Sequence, residues 1–195
     1  MKMPFDTISD TPDEALLVLY ANGDKAAAQA LMMRLTPRVL GYAARLLSDH
    51  SEAEDVAQEA MLRLWKIAPD WRQGEAKVST WLYRVVSNLC TDRLRKKRGV
   101  ALDLVAEPED GKPSATQTMI EAQRATALQN ALNQLPQRQR SAVVLRHLQG
   151  ATNPQIAEIL EISVEAVESL TARGKRALTA ILANKQDELG YSDDG

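Results

Sequence analysis

The sequence predicts an all-α protein: two small helical domains joined by a flexible linker, the second carrying a helix-turn-helix. Three observations carry this. Aromatic residues make up 4% of the 195-residue chain, Phe occurs once, and Val and Ile rarely alternate with polar residues, so strands have little support. Apolar residues recur at spacings of three and four on both sides of residues 99–116. That intervening stretch holds Gly99, Pro108, Gly111, Pro113 and four acids without helical period, and reads as a linker. The units are therefore 1–99, a linker over 100–124, and 125–195.

In the first unit helices are expected over residues 12–21, 24–35, 37–47, 51–68 and 79–97, the third opening at Pro37. The fourth starts with Ser51 and Glu54 spaced as a capping box, and its acidic first turn suits the helix dipole. Val56, Ala57, Ala60, Met61 and Leu64 form its buried face. Asp55, Gln58, Glu59 and Leu62 form a second stripe, which fits either a solvated face or a docking surface for a basic partner.

The fifth helix divides differently. Leu82, Val85, Val86 and Leu89 are its apolar face, while Arg84, Asn88, Thr91 and Arg95 align on another. It ends in Arg93, Arg95, Lys96, Lys97 and Arg98, more cations than a helix C-terminus requires. With Trp71, Trp81 and Tyr83 nearby, the combination suits an unstacked nucleic-acid strand, although Trp81 and Tyr83 serve equally as core.

In the second unit, helices over 117–133 and 136–148 precede the segment 152–176, where two short helices meet at a tight turn. Thr152 or Asn153 caps the first, with Pro154 in its first turn, and Ser163 caps the second. Ile156, Leu160, Ile162, Val167 and Leu170 point into one core, leaving Glu165, Glu168, Ser169, Ala172 and Arg173 outside, where a recognition helix meets a major groove. An ordinary helical hairpin shares this pattern. The last helix runs to about residue 182, and the tail 187–195 is acidic and frayed.

A formal net charge of −2 gives no global sign of nucleic-acid binding, so DNA contact rests on local patches. Those patches are segregated: Asp49 to Glu59 carries five acids and no Lys or Arg, and Arg84 to Arg98 carries six cations against Asp92 alone. The single cysteine, Cys90, forms no internal disulfide and packs as a small apolar residue. His50 and His147 have no metal partner at useful spacing, so neither metal nor cofactor is expected. With no apolar run near the ~20 residues that span a bilayer and no signal sequence, a cytoplasmic protein without membrane insertion is expected.

Three blocks now stand in order: E-A-E-D-V-A-Q-E-A-M-L-R-L-W at 52–65, T-W-L-Y-R-V-V-S-N-L-C-T-D-R-L-R-K-K-R at 80–98, and L-N-Q-L-P-Q-R-Q-R-S-A-V-V-L-R-H-L-Q-G at 132–150. Over residues 13–98 and 126–182 the chain resembles the bacterial sigma factors of RNA polymerase, in their compact extracytoplasmic-function group. The resemblance implies that Asp55, Gln58, Glu59 and Leu62 dock on core polymerase. It places Thr80, Arg84, Asn88, Asp92, Arg93, Arg95, Lys96, Lys97 and Arg98 on the downstream promoter element during melting. It further implies that the loop 70–79, with Trp71, Arg72 and Lys77, captures a flipped base. It also implies that Ser163, Glu165, Glu168, Ser169, Ala172 and Arg173 face the upstream element, that Lys175 and Arg176 hold phosphates, and that a cognate anti-sigma factor exists.

The chain departs from the family pattern at Val78, where Phe is usual, at Glu161, where Gly is usual, and at Glu168 and Leu170, where bases are common. The function expected is a non-enzymatic initiation factor. A conventional double-stranded DNA regulator with an N-terminal sensing or dimerisation domain is the alternative, and it leaves the Asp-Gln-Glu stripe and the aromatic-basic helix without a role.

Overall fold

The computed structural model describes residues 10–72, 74, 76–100 and 116–188. Helix α1 (Asp13–Ala21) leads through an Asn22-Gly23 turn into α2 (Lys25–Leu47). Asp24 caps α2 by accepting from the backbone N–H groups of Ala26 and Ala27 at 2.8 and 3.1 Å. The break expected at Pro37 is absent, and α2 is continuous through it. Pro37 is exposed and Met33, four residues back, is 72% exposed, so the carbonyl released by the missing N–H faces water.

Helix α3 (His50–Ile67) follows a left-handed Ser48 at φ 58. Its cap is Asp49, whose carboxylate accepts from the Glu52 N–H at 3.0 Å, and not the expected Ser51–Glu54 box. That N–H, with Lys97, holds the Asp49 carboxyl below its ordinary pKa. A 3₁₀ turn (Ala68–Asp70) and the loop after it lead to α4 (Val78–Val100). The expected inner faces hold: Val56, Ala57, Ala60, Met61 and Leu64 of α3 and Leu82 and Val86 of α4 are buried, each large side chain contributing about 1.5–3 kcal/mol. Val85 and Leu89 pack half-buried around them. Tyr20 meets Trp65 at 4.6 Å, and Tyr42 meets Tyr83 edge-on at 5.4 Å, tying α1 to α3 and α2 to α4.

In the second half α5 (Thr116–Asn133) is followed by α6 (Gln137–Val143), which widens into a π turn (Val144–Leu148). Helices α7 (Asn153–Leu160) and α8 (Val164–Glu188) make the helix-turn-helix. Thr152 and Gln155 form a reciprocal capping box on α7, and Ser163 Oγ accepts from the Ala166 N–H at 3.2 Å to cap α8. The core contains Ile156, Val167 and also Ile159, which the apolar spacing does not single out. Helix α8 extends to Glu188, beyond the expected residue 182. Of the expected linker 100–124, Val100 ends α4 and residues 116–124 open α5, while 101–115 lie outside the described residues; of the expected tail 187–195, residues 187 and 188 belong to α8 and 189–195 lie outside the described residues. Among the described residues there is no strand.

The two halves also pack on each other. One continuous buried cluster runs from Leu16 and Leu31 through Tyr42 and Leu82 to Leu132, Leu145 and Ile156, with α7 lying against α4.

Candidate polymerase-docking and DNA-binding surfaces

Helices α3 and α4 enclose an open groove of about 490 Å³ lined by Asp55, Gln58, Glu59, Leu62, Arg63, Leu89, Asp92, Arg93 and Lys96. The predicted stripe is thus assembled on one wall. Leu62 is 48% exposed beside Leu89, an apolar anchor among charges of both signs. Glu59 accepts from Arg63 Nε at 2.8 Å. Arg93 pairs with Glu52 and lies 3.8 Å from Asp55, while Lys97 Nζ donates to Asp49 at 3.1 Å. Two cations that the resemblance places on DNA therefore also bind the N-cap and first turn of α3, links 41 and 48 residues long that no local pattern reveals. Arg95 bonds Asp92 at 2.9 Å on the surface, and Lys96 stays exposed. The Arg98 side chain lies outside the described residues.

On α4, Arg84 and Asn88 are exposed, and Thr91 is exposed while its hydroxyl donates to the Ser87 carbonyl at 2.8 Å. Trp71 and Trp81 stack edge-on at 6.3 Å, both half-buried, and Arg72 and Lys77 are exposed. Thr80 is buried, at 4% exposure, in an open cleft of about 590 Å³ lined by Glu14, Gly74, Ala76 and Lys77 and, from α7, Gln155 and Glu158. Val78 fills a core position, and its N–H donates to Glu14 Oε1 at 2.9 Å. A carboxylate from α1 thereby meets the N-terminus of α4, where the helix dipole favours it. Glu14→Ala is expected to lower stability by about 1 kcal/mol; hydrogen exchange should show the change at Val78 and the loop before it, and unaltered protection there would remove Glu14 from this role.

Ser163, Glu165, Glu168, Ala172, Arg173, Lys175 and Arg176 are exposed along α8, and Ser169 is half-buried. Backbone and Ser163 hydroxyl hydrogen bonds hold the Glu165 carboxyl below its ordinary pKa, so this end of the helix stays anionic. Asn153 Nδ2 approaches Glu168 at 3.5 Å. The exposed face therefore runs from acidic at the helix start to basic at Arg173–Arg176.

Cys90 is fully buried, and burial pushes its thiol pKa up to about 12. Among the described residues no cluster of His, Cys, Asp and Glu could hold a metal ion, and no helix is long and apolar enough to cross a membrane.

One chain thus carries an acid-and-leucine groove, an aromatic-basic helix and an outward-facing helix-turn-helix. Residues 31–100 match the family description Sigma-70 region 2, and residues 125–178 match Sigma-70, region 4. ECF RNA polymerase sigma factor SigM of Mycobacterium tuberculosis is 38% identical over 87% of this chain and 84% of its own length. SigW of Bacillus subtilis is 30% identical over 80% of this chain and 89% of its own. The solved structure of the sigma factor RpoE in complex with the anti-sigma factor NepR from Bartonella quintana superposes with a TM-score of 0.69, covering 82% of this chain and 98% of that one at 23% identity. The chain belongs to the extracytoplasmic-function sigma factors of the sigma-70 family.

Proposed function

We propose that this sigma factor docks on core RNA polymerase through the α3–α4 groove, with Leu62 as the apolar anchor and Asp55, Gln58 and Glu59 as its polar partners. Arg84, Asn88 and the basic end of α4 then take the downstream promoter strand, with the loop carrying Trp71, Arg72 and Lys77 beside them. Arg173, Lys175 and Arg176, with Ser169 and Ala172 between the turns, approach the upstream duplex. The observation that carries the reading is the coexistence of an exposed groove of mixed charge with two separate surfaces suited to DNA.

Units 1–99 and 125–195, tethered through 100–124, act on the two promoter elements separately. The protein works in the cytoplasm and supplies binding energy without catalytic chemistry of its own. An anti-sigma factor controls it, just as RpoE of Bartonella quintana forms a complex with the anti-sigma factor NepR. Co-purification with core polymerase followed by run-off transcription tests the reading, and no association would end it.

Within that reading, Arg84→Ala with Asn88→Ala is expected to impair strand opening about tenfold or more while leaving holoenzyme assembly intact, since both side chains are exposed and outside the groove. Permanganate footprinting reads this directly. Equal opening by variant and wild type would clear both residues of the role.

A further inference from the structure

We propose that Glu168 reads a cytosine in the upstream duplex, its carboxylate accepting from the exocyclic N4 amino group in the major groove, and so sets one base of the promoter specificity; this rests on the placing of α8 at the upstream element proposed above. A recognition helix meets base edges with its N-terminal turns. On α8 those turns, residues 164–171, carry no Lys or Arg, and Arg173, Lys175 and Arg176 come only after them. The charged groups at the base-reading end are Glu165 and Glu168. The Glu165 carboxylate is turned back on its own helix start, where its own N–H and the Ser163 hydroxyl hold it. Glu168 is exposed, and Asn153 Nδ2, from the first turn of α7, stands 3.5 Å from its Oε1. That approach bridges the two helices of the motif and narrows the positions the carboxylate takes. Among the described residues no hydrogen bond takes up Oε2.

An ionised carboxylate only accepts hydrogen bonds, and this fixes what it recognises. In the major groove guanine offers N7 and O6, and thymine offers O4 and a methyl group, so neither gives it a donor. Adenine offers its N6 amino group beside the N7 lone pair, which repels the second carboxylate oxygen. Cytosine offers its N4 amino group beside a C5–H edge, a donor with no acceptor next to it on the same base. Ala172, one turn further along the same face, is exposed and ends in a methyl group, so no cation on that turn draws the carboxylate away. The charge of Glu168 also opposes the phosphates, but it does so at every sequence alike. A preference at one base is therefore the mark of the contact, and a uniform change in affinity is the mark of charge without contact.

The test uses holoenzyme reconstituted from core polymerase and the full chain, with a library of promoter-length duplexes of random sequence as probe. Bound duplexes are sequenced for wild type, Glu168→Gln and Glu168→Ala; the side chain is exposed, so both variants keep the fold. The upstream element is the enriched block that stays double-stranded, and the downstream one is the block that becomes permanganate-reactive. Wild type is expected to favour cytosine about tenfold at one position of the upstream block. Glu168→Gln, whose amide both donates and accepts as adenine requires, is expected to move that position to adenine, and Glu168→Ala to level it, with the other positions unchanged. The same base preferences in all three proteins, with the variants binding every duplex more tightly, overturn the contact and leave α8 as the reader of the upstream element. Absence of any upstream block from the wild-type selection overturns the placing of α8 as well.

Discussion

Replacing Asp55 and Leu62 together by alanine is expected to weaken binding to core RNA polymerase by about 2–3 kcal/mol, roughly a hundredfold, with no measurable loss of folded stability. Leu62 is 48% exposed in the free chain, so its truncation leaves no cavity, and its apolar surface is available to a partner. Asp55 is also exposed, and its only ion-pair partner among the described residues, Arg93 at 3.8 Å, retains Glu52 when Asp55 is removed. Folding therefore loses almost nothing, whereas a partner loses an apolar anchor and a carboxylate in the same groove. Titration of labelled core polymerase, with melting curves on the same preparations, measures both effects. Undiminished binding by a folded double variant would take the groove out of polymerase recognition.

What the sequence reveals about this molecule follows the range of the interaction concerned. The helix-turn-helix is legible because its determinants are neighbours: Thr152 and Gln155 close a capping box, Ser163 caps the next helix, and Glu161 takes the left-handed turn its position demands. The same holds for the inner faces of α3 and α4, where a period of 3.6 names Val56, Leu64, Leu82 and Val86 as core. Local rules also mislead where two of them compete. Ser51 and Glu54 have capping-box spacing, yet Asp49 is the better acceptor and starts the helix earlier. Pro37 reads as a break, but a single proline on an exposed face is tolerated once Leu31, Leu35 and Val39 are buried on the same helix.

The seam between the halves is not legible at all. Tyr83 and Gln149 are 66 residues apart, and Arg140 and Leu46 are 94 apart. Amphipathic periodicity says that a face is covered without saying by what. Leu160, Ile162 and Leu170 illustrate this: they read as core of the helix-turn-helix, and they stand half-buried along a cavity facing Ser87 and Thr91. Tyr42 lies fully buried where the halves meet, its hydroxyl facing Ser87 and Ser141 without a well-formed hydrogen bond, and burial raises its pKa.

Gly174→Val is expected to destabilise the C-terminal half by about 3 kcal/mol, and Gly174→Ala by about 1–2 kcal/mol. Gly174 sits within α8 where that helix crosses α6, and a Cβ placed on it would stand 2.5 Å from Val143 Cγ2 and 3.4 Å from the Gln139 carbonyl oxygen. Val143 is β-branched and 3% exposed, so it has no alternative rotamer in free space, and the helices must move apart. In an open helix alanine would instead gain about 1 kcal/mol over glycine, so the sign of the effect separates contact from propensity. Removing the obstructing methyls should reverse it: in a Val143→Ala background, Gly174→Ala is expected to be neutral or stabilising, a coupling of about 2 kcal/mol between the two sites. Urea and thermal unfolding of the four proteins measure the cycle. If Gly174→Ala is as stable as wild type with Val143 intact, α8 is not held at this distance from α6. The direction in which Arg173, Lys175 and Arg176 leave the helix would then be set by something other than this crossing.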